Sequence, residues 1–346
     1  MGEIAGLKTI RVGIVGAGST TAKHYLPRWQ KMDGVEIVAV ANRSKDSARR
    51  VAGRFDIAQV HDHWPSLVAS DEVDAVYVGT WPYLHRDVSI AALNNGKHVL
   101  TQARMAMSSA EARDMLASAR LHPNLVAQVV PTRHISHVLR VLPELLGSGY
   151  TGDVLSVDII GSGNANSTSS WRNKQDLSGF NMMSVGQMAE AITWLLGPFS
   201  SVSAITRLYN PRRRDAEDCT YVADIPDLVE VIAELSCGTI VHLRDSSVTH
   251  LGQERLRILG THGSLELNSR QGLLGARRGD PELLPLPIPQ EDRHEINDDL
   301  EFFDSIRLGT PVEHTSFEDG VRYMEFTEAV VRSSQIREAV SLPLVP

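Results

Sequence analysis

The feature that most constrains the fold is an alternation of short apolar runs and helical patterns over residues 9–131. The apolar runs are rich in Val, Ile and Ala and do not alternate with polar residues, which is typical of parallel strands covered on both faces. These runs lie at residues 9–15, 35–41, 75–79, 98–101 and 125–130, and the helical patterns lie at residues 20–32, 45–54, 83–95 and 108–121. Alternating strands and helices imply right-handed crossovers, so the sequence predicts an α/β fold with a doubly wound parallel sheet.

The pattern changes after about residue 131. Polar and apolar residues then alternate with a period of two, which predicts strands of an open, mainly antiparallel sheet with one polar face. These runs lie at residues 153–160, 229–236, 239–245, 255–259 and 264–267; helical patterns lie at 135–146, 297–308 and 317–336, and a Pro-rich loop lies at 279–292. At 346 residues, the chain is long enough for about two domains.

Composition narrows the range of partners. The chain carries 34 basic and 42 acidic residues, for a formal net charge of −8, which argues against nucleic acid or an anionic membrane as the main partner. No apolar stretch reaches about 18 residues, so no membrane span is expected. The first residues do not form a secretory signal, and Cys219 and Cys237 are too far apart for a CxxC site. We therefore expect a cytoplasmic protein.

The strongest chemical signal follows the first predicted strand. Gly16 would allow a tight turn there, and Gly18 would let the backbone N–H groups near Ser19 and Thr20 approach a pyrophosphate at a helix N-terminus. Thr21 replaces the third glycine of the usual pattern. Because the turn opens a βαβ array, we predict that residues 1–131 form a dinucleotide-binding Rossmann domain. Residues 132–346 would then bind substrate and form oligomers, with the C-terminal helix free to pack back on the first domain.

The residues after the second strand bear on cofactor choice. A site selective for NAD places Asp or Glu there to bind the ribose 2′-hydroxyl, but this sequence has Asn42, Arg43 and Ser44. A guanidinium and a hydroxyl can hold a 2′-phosphate, so NADP(H) is favoured. NAD(H) stays open, because Arg43 could instead stack on the adenine.

Several longer passages resemble the Gfo/Idh/MocA oxidoreductase family over nearly the whole chain. They are residues 73–85 (VDAVYVGTWPYLH), 91–100 (AALNNGKHVL), 194–198 (WLLGP) and 317–322 (FEDGVR). The resemblance implies a Rossmann domain, a second α/β domain with an open sheet, and homo-oligomers (dimers or tetramers) that pack through that sheet. It also implies hydride transfer between a nicotinamide and a carbonyl or alcohol carbon, often on a sugar or inositol.

The sequence departs from the family at both catalytic landmarks. The family usually has Glu-Lys-Pro after the fifth strand, where this chain has Gln102, Ala103 and Arg104. The family often has a general acid–base His in the second domain, and here the two alignment registers place Gln187 or Met188 at that position. Hydride transfer therefore needs other groups to orient the substrate and move the proton.

Four residues are candidates for that catalytic role. Glu190 lies in an apolar helical stretch, where burial would raise its pKa and suit it to acid–base work, although it could equally be structural. Arg104 could polarise an oxygen but stays charged at neutral pH. Gln187 can only form hydrogen bonds. His85 could act at the sheet edge or pack against the turn of its own helix.

The remaining candidates concern ligand contacts. Thr80, Trp81 and Pro82 would line the nicotinamide side of the cofactor site, together with Gln102 and His85. In the polar loop at residues 161–181, Trp171, Arg172 and Asn181 would contact a hydroxylated substrate. The histidine pairs His61/His63 and His134/His137 lack a third ligand, so no metal is expected.

Three functions fit these observations. The leading one is an NAD(P)-dependent oxidoreductase that acts on a small polar, sugar- or polyol-like carbonyl or alcohol. The second is a lyase or hydrolase that uses a bound nucleotide transiently without net redox change. The third is a nucleotide-binding protein without catalysis.

Overall fold

The computed structural model describes residues 9–131, 141–162, 170–250, 252–288 and 298–345. The chain divides into two compact units. The first contains Met1–Pro131 and Asn297–Val321, and the second contains Thr132–Ile296 and Arg322–Pro346. Each unit is therefore built from two separate parts of the chain.

The first unit is built on a six-stranded parallel sheet. Its strands are β1 (Ile10–Val15), β2 (Val35–Ala41), β3 (Gln59–His61), β4 (Ala75–Val78), β5 (His98–Thr101) and β6 (Ala127–Val129). Their order in the sheet is β3-β2-β1-β4-β5-β6, which makes it a doubly wound sheet and confirms that prediction. The sequence does not predict β3, because its three residues are only half-buried and form no apolar run.

Helices connect the strands of this sheet. They are α1 (Leu26–Trp29), α2 (Lys45–Phe55), α3 (Trp64–Val68), α4 (His85–Asn94) and α5 (Ser109–Leu121). The predicted helix at residues 20–32 contains a π-helical turn, Thr21–Tyr25, before α1. At the start of α5 the Ser108 hydroxyl caps the helix by accepting a hydrogen bond from the Glu111 N–H.

A later segment completes the core of the first unit. Helix α9 (Asp298–Leu308) is preceded by residues outside the described ranges, and its Phe303 packs edge-on against Trp29. Asp299 on the same helix is fully buried and accepts hydrogen bonds from the indole N–H of Trp29 and from Arg28. The aromatic contacts extend from Trp29 to Tyr77 on β4.

The second unit contains a nine-stranded sheet. Its strands are β7 (Val154–Ser162), β8 (Phe199–Arg207), β11 (Leu228–Leu235), β12 (Ile240–Ser246), β13 (Arg255–Gly260), β14 (Gly263–Asn268), β15 (Gly272–Arg277), β16 (Leu284–Pro285) and β17 (Val340–Ser341), and the short hairpin β9 (Arg212–Arg214) and β10 (Thr220–Val222) lies outside it. Only the β7–β12 pair is parallel. This confirms the predicted mainly antiparallel sheet, although β8, β15, β16 and β17 are additional to the predicted strands.

Helices cover one face of that sheet. They include α6 (Val141–Gly147), α7 (Gln175–Ser178), α8 (Val185–Leu196) and α10 (Phe317–Ile336). Strand β17 pairs with β8 at Ser201 and Val202. Further along β8, two backbone N–H groups donate to hydroxyls of α10 instead: Ala204 donates to Ser333, and Thr206 donates to Ser334. Part of the predicted helix at 135–146 and of the predicted loop at 279–292 lies outside the described residues. No helix in the described ranges is long and apolar enough to cross a membrane.

Candidate active site

The turn after β1 is held so close to the exit of β4 that it requires glycine. Gly16 has φ +91°, and a Cβ on it would lie 2.6 Å from the backbone nitrogen of Thr80. Gly79 faces it, with its own Cβ position 2.5 Å from the Gly16 carbonyl oxygen. Thr21 is buried in the place of the third glycine, and its hydroxyl donates to the Gly16 carbonyl at 3.2 Å. The third glycine of the usual pattern allows close packing of the helix on the strand, whereas Thr21 stabilises the turn through this hydrogen bond.

The outer side of the same turn is open. No atom lies within 4 Å of the Cβ position of Gly18, and Gly18, Ser19 and Thr20 are all exposed. The Ala17 N–H is engaged differently: it donates to the Asn42 side-chain oxygen at 2.7 Å, which ties the turn to the exit of β2. The turn therefore presents backbone to solvent where a diphosphate could approach, as a dinucleotide site requires.

A cavity of about 830 Å³ extends from this turn over the exits of β2 and β4. Its lining includes Gly16, Gly18, Asn42, Arg43, Thr80 and Trp81, and α2 adds Ser47, Arg50 and Arg54. The Arg43 guanidinium lies 5.6 Å from the centroid of the Trp81 ring, in cation–π geometry. Ser44 has a different contact: its hydroxyl caps α2 by accepting from the Ser47 N–H.

His85 is 1% exposed at the start of α4, and both of its ring nitrogens face backbone carbonyls. Nδ1 lies 2.9 Å from the Arg104 carbonyl oxygen and 3.3 Å from that of Met105, and Nε2 lies 3.0 Å from that of Thr80. Burial lowers the pKa of His85 below its ordinary value and outweighs these hydrogen bonds, which raise it. The side chain is engaged with backbone on both sides, which favours a positioning role over proton transfer to a ligand.

The segment after β5 is also fixed from within the first unit. The Gln102 N–H donates to the Val78 carbonyl, and the Gln102 side-chain amide donates to the Tyr77 hydroxyl. Burial raises the pKa of Tyr77 well above its ordinary value, so the hydroxyl stays protonated. Arg104 is half-buried. Pro82 opens the short 3-10 turn Pro82–Leu84 and is itself buried.

In the second unit, α8 carries two of the predicted catalytic residues. Met188 is buried in the hydrophobic core, whereas Gln187 is half-buried, so Gln187 suits the polar position of the family motif better than Met188 does. Glu190 is 9% exposed, as its apolar surroundings predict.

The sequence analysis did not identify Asp245, which lies at the N-terminus of α8. This fully buried carboxylate on β12 accepts hydrogen bonds from the Ser184 N–H at 2.7 Å and the Ser184 hydroxyl at 2.6 Å. It thus fixes the start of the helix that carries Gln187 and Glu190. Serine before a helix is a recognisable cap signal, but the sequence does not show which acid meets it.

The predicted substrate loop is described only from residue 170 onward. Trp171 is half-buried, and the exposed Arg172 guanidinium lies 4.3 Å from the centroid of its ring. Asn181 is 2% exposed, and its side-chain amide donates to the Ser178 carbonyl at 2.6 Å, which shapes its own loop. The polar residues at 163–169 lie outside the described residues.

Two comparisons of domains with known families decide the identity. A family model described as "Oxidoreductase family, NAD-binding Rossmann fold" matches residues 10–129, and one described as "GFO/IDH/MocA C-terminal domain" matches residues 139–266. Between them they span most of the chain. The chain belongs to the Gfo/Idh/MocA oxidoreductase family. It is therefore an NAD(P)-dependent oxidoreductase, which confirms the resemblance seen in the sequence.

Individual members of this Gfo/Idh/MocA family show the range of relatives. The chain is 27% identical over 270 residues to an uncharacterised oxidoreductase of Synechocystis, across 75% of this chain and 72% of that protein. It is 28% identical over 148 residues to the inositol 2-dehydrogenase of Serratia proteamaculans, across 42% and 44% of the two chains. Levoglucosan dehydrogenase shares the fold: its apo form superposes with a TM-score of 0.86 at 21% identity, covering 98% of this chain and all of that one.

Among the residues that the structure describes, no group of three or more His, Cys, Asp or Glu side chains could hold a metal ion. His61 ends β3, where Nδ1 contacts the Ser66 hydroxyl at 3.0 Å, and His63 precedes α3. His134 and His137 lie outside the described residues.

Proposed function

We propose that the chain transfers hydride between NADP(H), in preference to NAD(H), and a small hydroxylated, sugar- or polyol-like carbonyl or alcohol. The observation that carries this proposal is the cavity at the open glycine turn, which arginines line at the exit of β2. Related enzymes are named for inositol and for levoglucosan, and levoglucosan dehydrogenase has been solved with NADH and levoglucosan. Those names support the substrate class proposed here.

Roles for individual residues follow from their chemistry. A bound nicotinamide would supply the hydride acceptor or donor. Ser19 and Thr20 would present the backbone to the diphosphate beside the open Cβ position of Gly18, whose own N–H donates to the Gly16 carbonyl at 3.0 Å, and Thr80, Trp81 and Pro82 would line the nicotinamide side. We assign substrate contacts to Trp171, Arg172 and Asn181.

The proton would be handled by groups that replace the family's usual Lys and His. Glu190 is the buried carboxylate of α8 and can take up or release a proton. Gln187 can form hydrogen bonds but cannot transfer a proton, and Arg104 is a permanent cation that can stabilise negative charge on an oxygen.

The direct test incubates the enzyme with NADPH or NADH and a panel of sugars, inositols and their keto forms, and follows absorbance at 340 nm. We expect net, substrate-dependent oxidation or reduction of the nucleotide. Product formation without net nucleotide change would instead support transient use of the cofactor. Nucleotide binding without any product would count against the catalytic proposal.

Cofactor preference is tested at Arg43. Arg43→Asp removes a guanidinium from the cavity wall and adds a carboxylate that repels a 2′-phosphate, so the Kd for NADPH should rise roughly tenfold or more, as expected for hydrogen bonds to charged groups. The Kd for NADH should change less. Arg49→Asp makes the same charge change on the exposed side of α2, outside the cavity lining, and is the matched control. Unchanged NADPH affinity in Arg43→Asp would refute the preference proposed here.

The second unit offers a surface for a second copy of the chain. Leu155, Ile205 and Ile232 are exposed on the sheet, each by more than half, and a cavity of about 710 Å³ lies on the same strands. We propose that this face forms the homo-oligomer. Ile232→Glu should then reduce the mass measured by light scattering, whereas Val222→Glu, on the separate β9–β10 hairpin, should not. A monomeric wild type would contradict this proposal.

A further inference from the structure

His85 bridges two segments that leave neighbouring strands of the first sheet. One ring nitrogen faces the carbonyl of Thr80, just after β4, and the other faces the carbonyl of Arg104, just after β5. The imidazole is buried, so it cannot meet a ligand from solvent, and its contacts span the gap between the two segments. The side chain is placed to set the distance between them.

The Thr80 side of this bridge continues into the glycine turn. The Cβ position of Gly16 is 2.6 Å from the Thr80 nitrogen, so the backbone at Thr80 is packed against the turn itself. The Arg104 side continues into Gln102, which Tyr77 holds by its hydroxyl. A chain of contacts therefore runs from the turn through Thr80 and His85 to the segment 102–104.

The order of the strands indicates which end of a dinucleotide that segment would meet. The glycine turn follows β1, and Asn42 and Arg43 follow β2 on one side of it. A dinucleotide lies across the carboxyl ends of the strands with its pyrophosphate at the turn, so an adenosine at β2 leaves the nicotinamide toward β4 and β5. The segment 102–104 follows β5 on that side.

We propose that His85 is a positioning residue that donates its Nδ1–H to the Arg104 carbonyl and thereby holds segment 102–104 in place for the nicotinamide. This rests on the proposed nucleotide site. A neutral imidazole donates through one nitrogen only, and Nδ1 has two carbonyl acceptors where Nε2 has one. The contacts therefore favour the tautomer protonated at Nδ1.

Two isosteric variants separate the two contacts. The side-chain amide nitrogen of asparagine can occupy the position of Nδ1, and that of glutamine can occupy the position of Nε2. His85→Asn should therefore keep a donor to the Arg104 carbonyl, whereas His85→Gln loses that donor and places one at the Thr80 carbonyl instead. His122→Gln, at a half-buried histidine whose Nε2 contacts the Asn94 side chain, is the control for a general effect of the substitution.

The readout compares nucleotides with and without the nicotinamide. Affinities for NADPH and NADH are measured by fluorescence, and those for 2′-phospho-ADP-ribose and ADP-ribose by calorimetry. His85→Gln should lower the affinity for NADPH and NADH roughly tenfold, which is the effect of one lost hydrogen bond. Its affinities for 2′-phospho-ADP-ribose and ADP-ribose should change by less than about threefold. His85→Asn and His122→Gln should resemble the wild type.

Three results would overturn the proposal. The first is a His85→Gln variant that binds NADPH and NADH with wild-type affinity. The second is an equal loss of affinity for the full and the truncated nucleotides, which would show a merely structural role. The third is a set of imidazole ¹⁵N resonances in the wild type that places the proton on Nε2. The last measurement needs no variant, so it applies even if His85→Gln does not fold. A wild type that binds none of the four ligands would refute the proposed nucleotide site as well.

Discussion

Gly16→Ala is expected to lower the free energy of unfolding by about 3 kcal/mol, because two costs add at this position. The first is backbone strain, since alanine avoids the positive φ of +91° that Gly16 adopts. The second is overlap with the chain that leaves β4: the added Cβ would lie 2.6 Å from the Thr80 nitrogen and 2.7 Å from the Gly79 carbonyl carbon. Both are backbone atoms, so no side chain can rotate away to relieve the contact. Urea unfolding followed by circular dichroism measures the change.

Gly18→Ala should leave stability almost unchanged but lower the affinity for the nucleotide. No atom lies within 4 Å of its Cβ position and its φ is not positive, so stability should stay within about 0.5 kcal/mol of the wild type. If the turn binds a diphosphate, the new methyl group intrudes on the ligand, and NADPH affinity should fall roughly tenfold or more.

A third glycine serves as the control for these two. Gly53→Ala lies in the exposed face of α2 and should add up to about 1 kcal/mol through helix propensity. Unchanged nucleotide affinity in Gly18→Ala would contradict the assignment of the turn. A Gly16→Ala protein as stable as the wild type would contradict the close approach of the turn to β4.

The central strands of the first sheet could be predicted from sequence because they are buried on both faces. Such strands appear as continuous apolar runs: Ala75–Val78 is buried throughout, and His98–Thr101, which coincides with its predicted range, is buried in all but its first residue. The edge strand Gln59–His61 could not be predicted in this way, since it is short, half-buried and polar. Burial makes a strand visible in the sequence, and this edge lacks it.

The second sheet was harder to predict for a related reason. Phe199–Arg207 contains three serines and pairs with Leu228–Leu235, so its partner lies beyond an intervening hairpin. Gly272–Arg277 begins with glycine and contains another one, which weakens its local strand signal. Phe199–Arg207 is stabilised by pairing with a distant strand, and Gly272–Arg277 by its hairpin with Gly263–Asn268, more than by local propensity.

Within the candidate site, too, local features could be predicted from the sequence and long-range contacts could not. The glycine turn is local, so its residues could be named from the sequence. The contacts that hold the rest of the site are not local: His85 meets Arg104 across 19 residues, Gln102 meets Tyr77 across 25, and Ser184 meets Asp245 across 61. A single sequence shows that such groups exist but not that the fold brings them together.

Asp299→Ala carries the other large expected effect, a loss of about 3–5 kcal/mol in the free energy of unfolding, the range for breaking a buried ion pair by removing one partner. Asp299 is fully buried, accepts from Arg28 Nε at 2.9 Å, and is the acceptor for the indole N–H of the fully buried Trp29. Without the carboxylate, the indole loses its acceptor in a site that water does not reach. That adds the cost of an unsatisfied buried donor.

The effect of Asp299→Ala should also reach the candidate site, since Trp29 packs edge-on against Tyr77, whose hydroxyl accepts from Gln102. Nucleotide affinity measured below the unfolding transition should therefore fall with stability. Asp304→Ala is the matched control, because Asp304 lies on the same helix, is more than half exposed, and pairs with Arg307 only at 3.6 Å. A long contact made by a carboxylate that is itself exposed contributes about 0–1 kcal/mol, so that variant should unfold almost like the wild type. Equal stability losses in the two variants would mean that the buried contacts of Asp299 do not hold the helix at 298–308 against the first sheet.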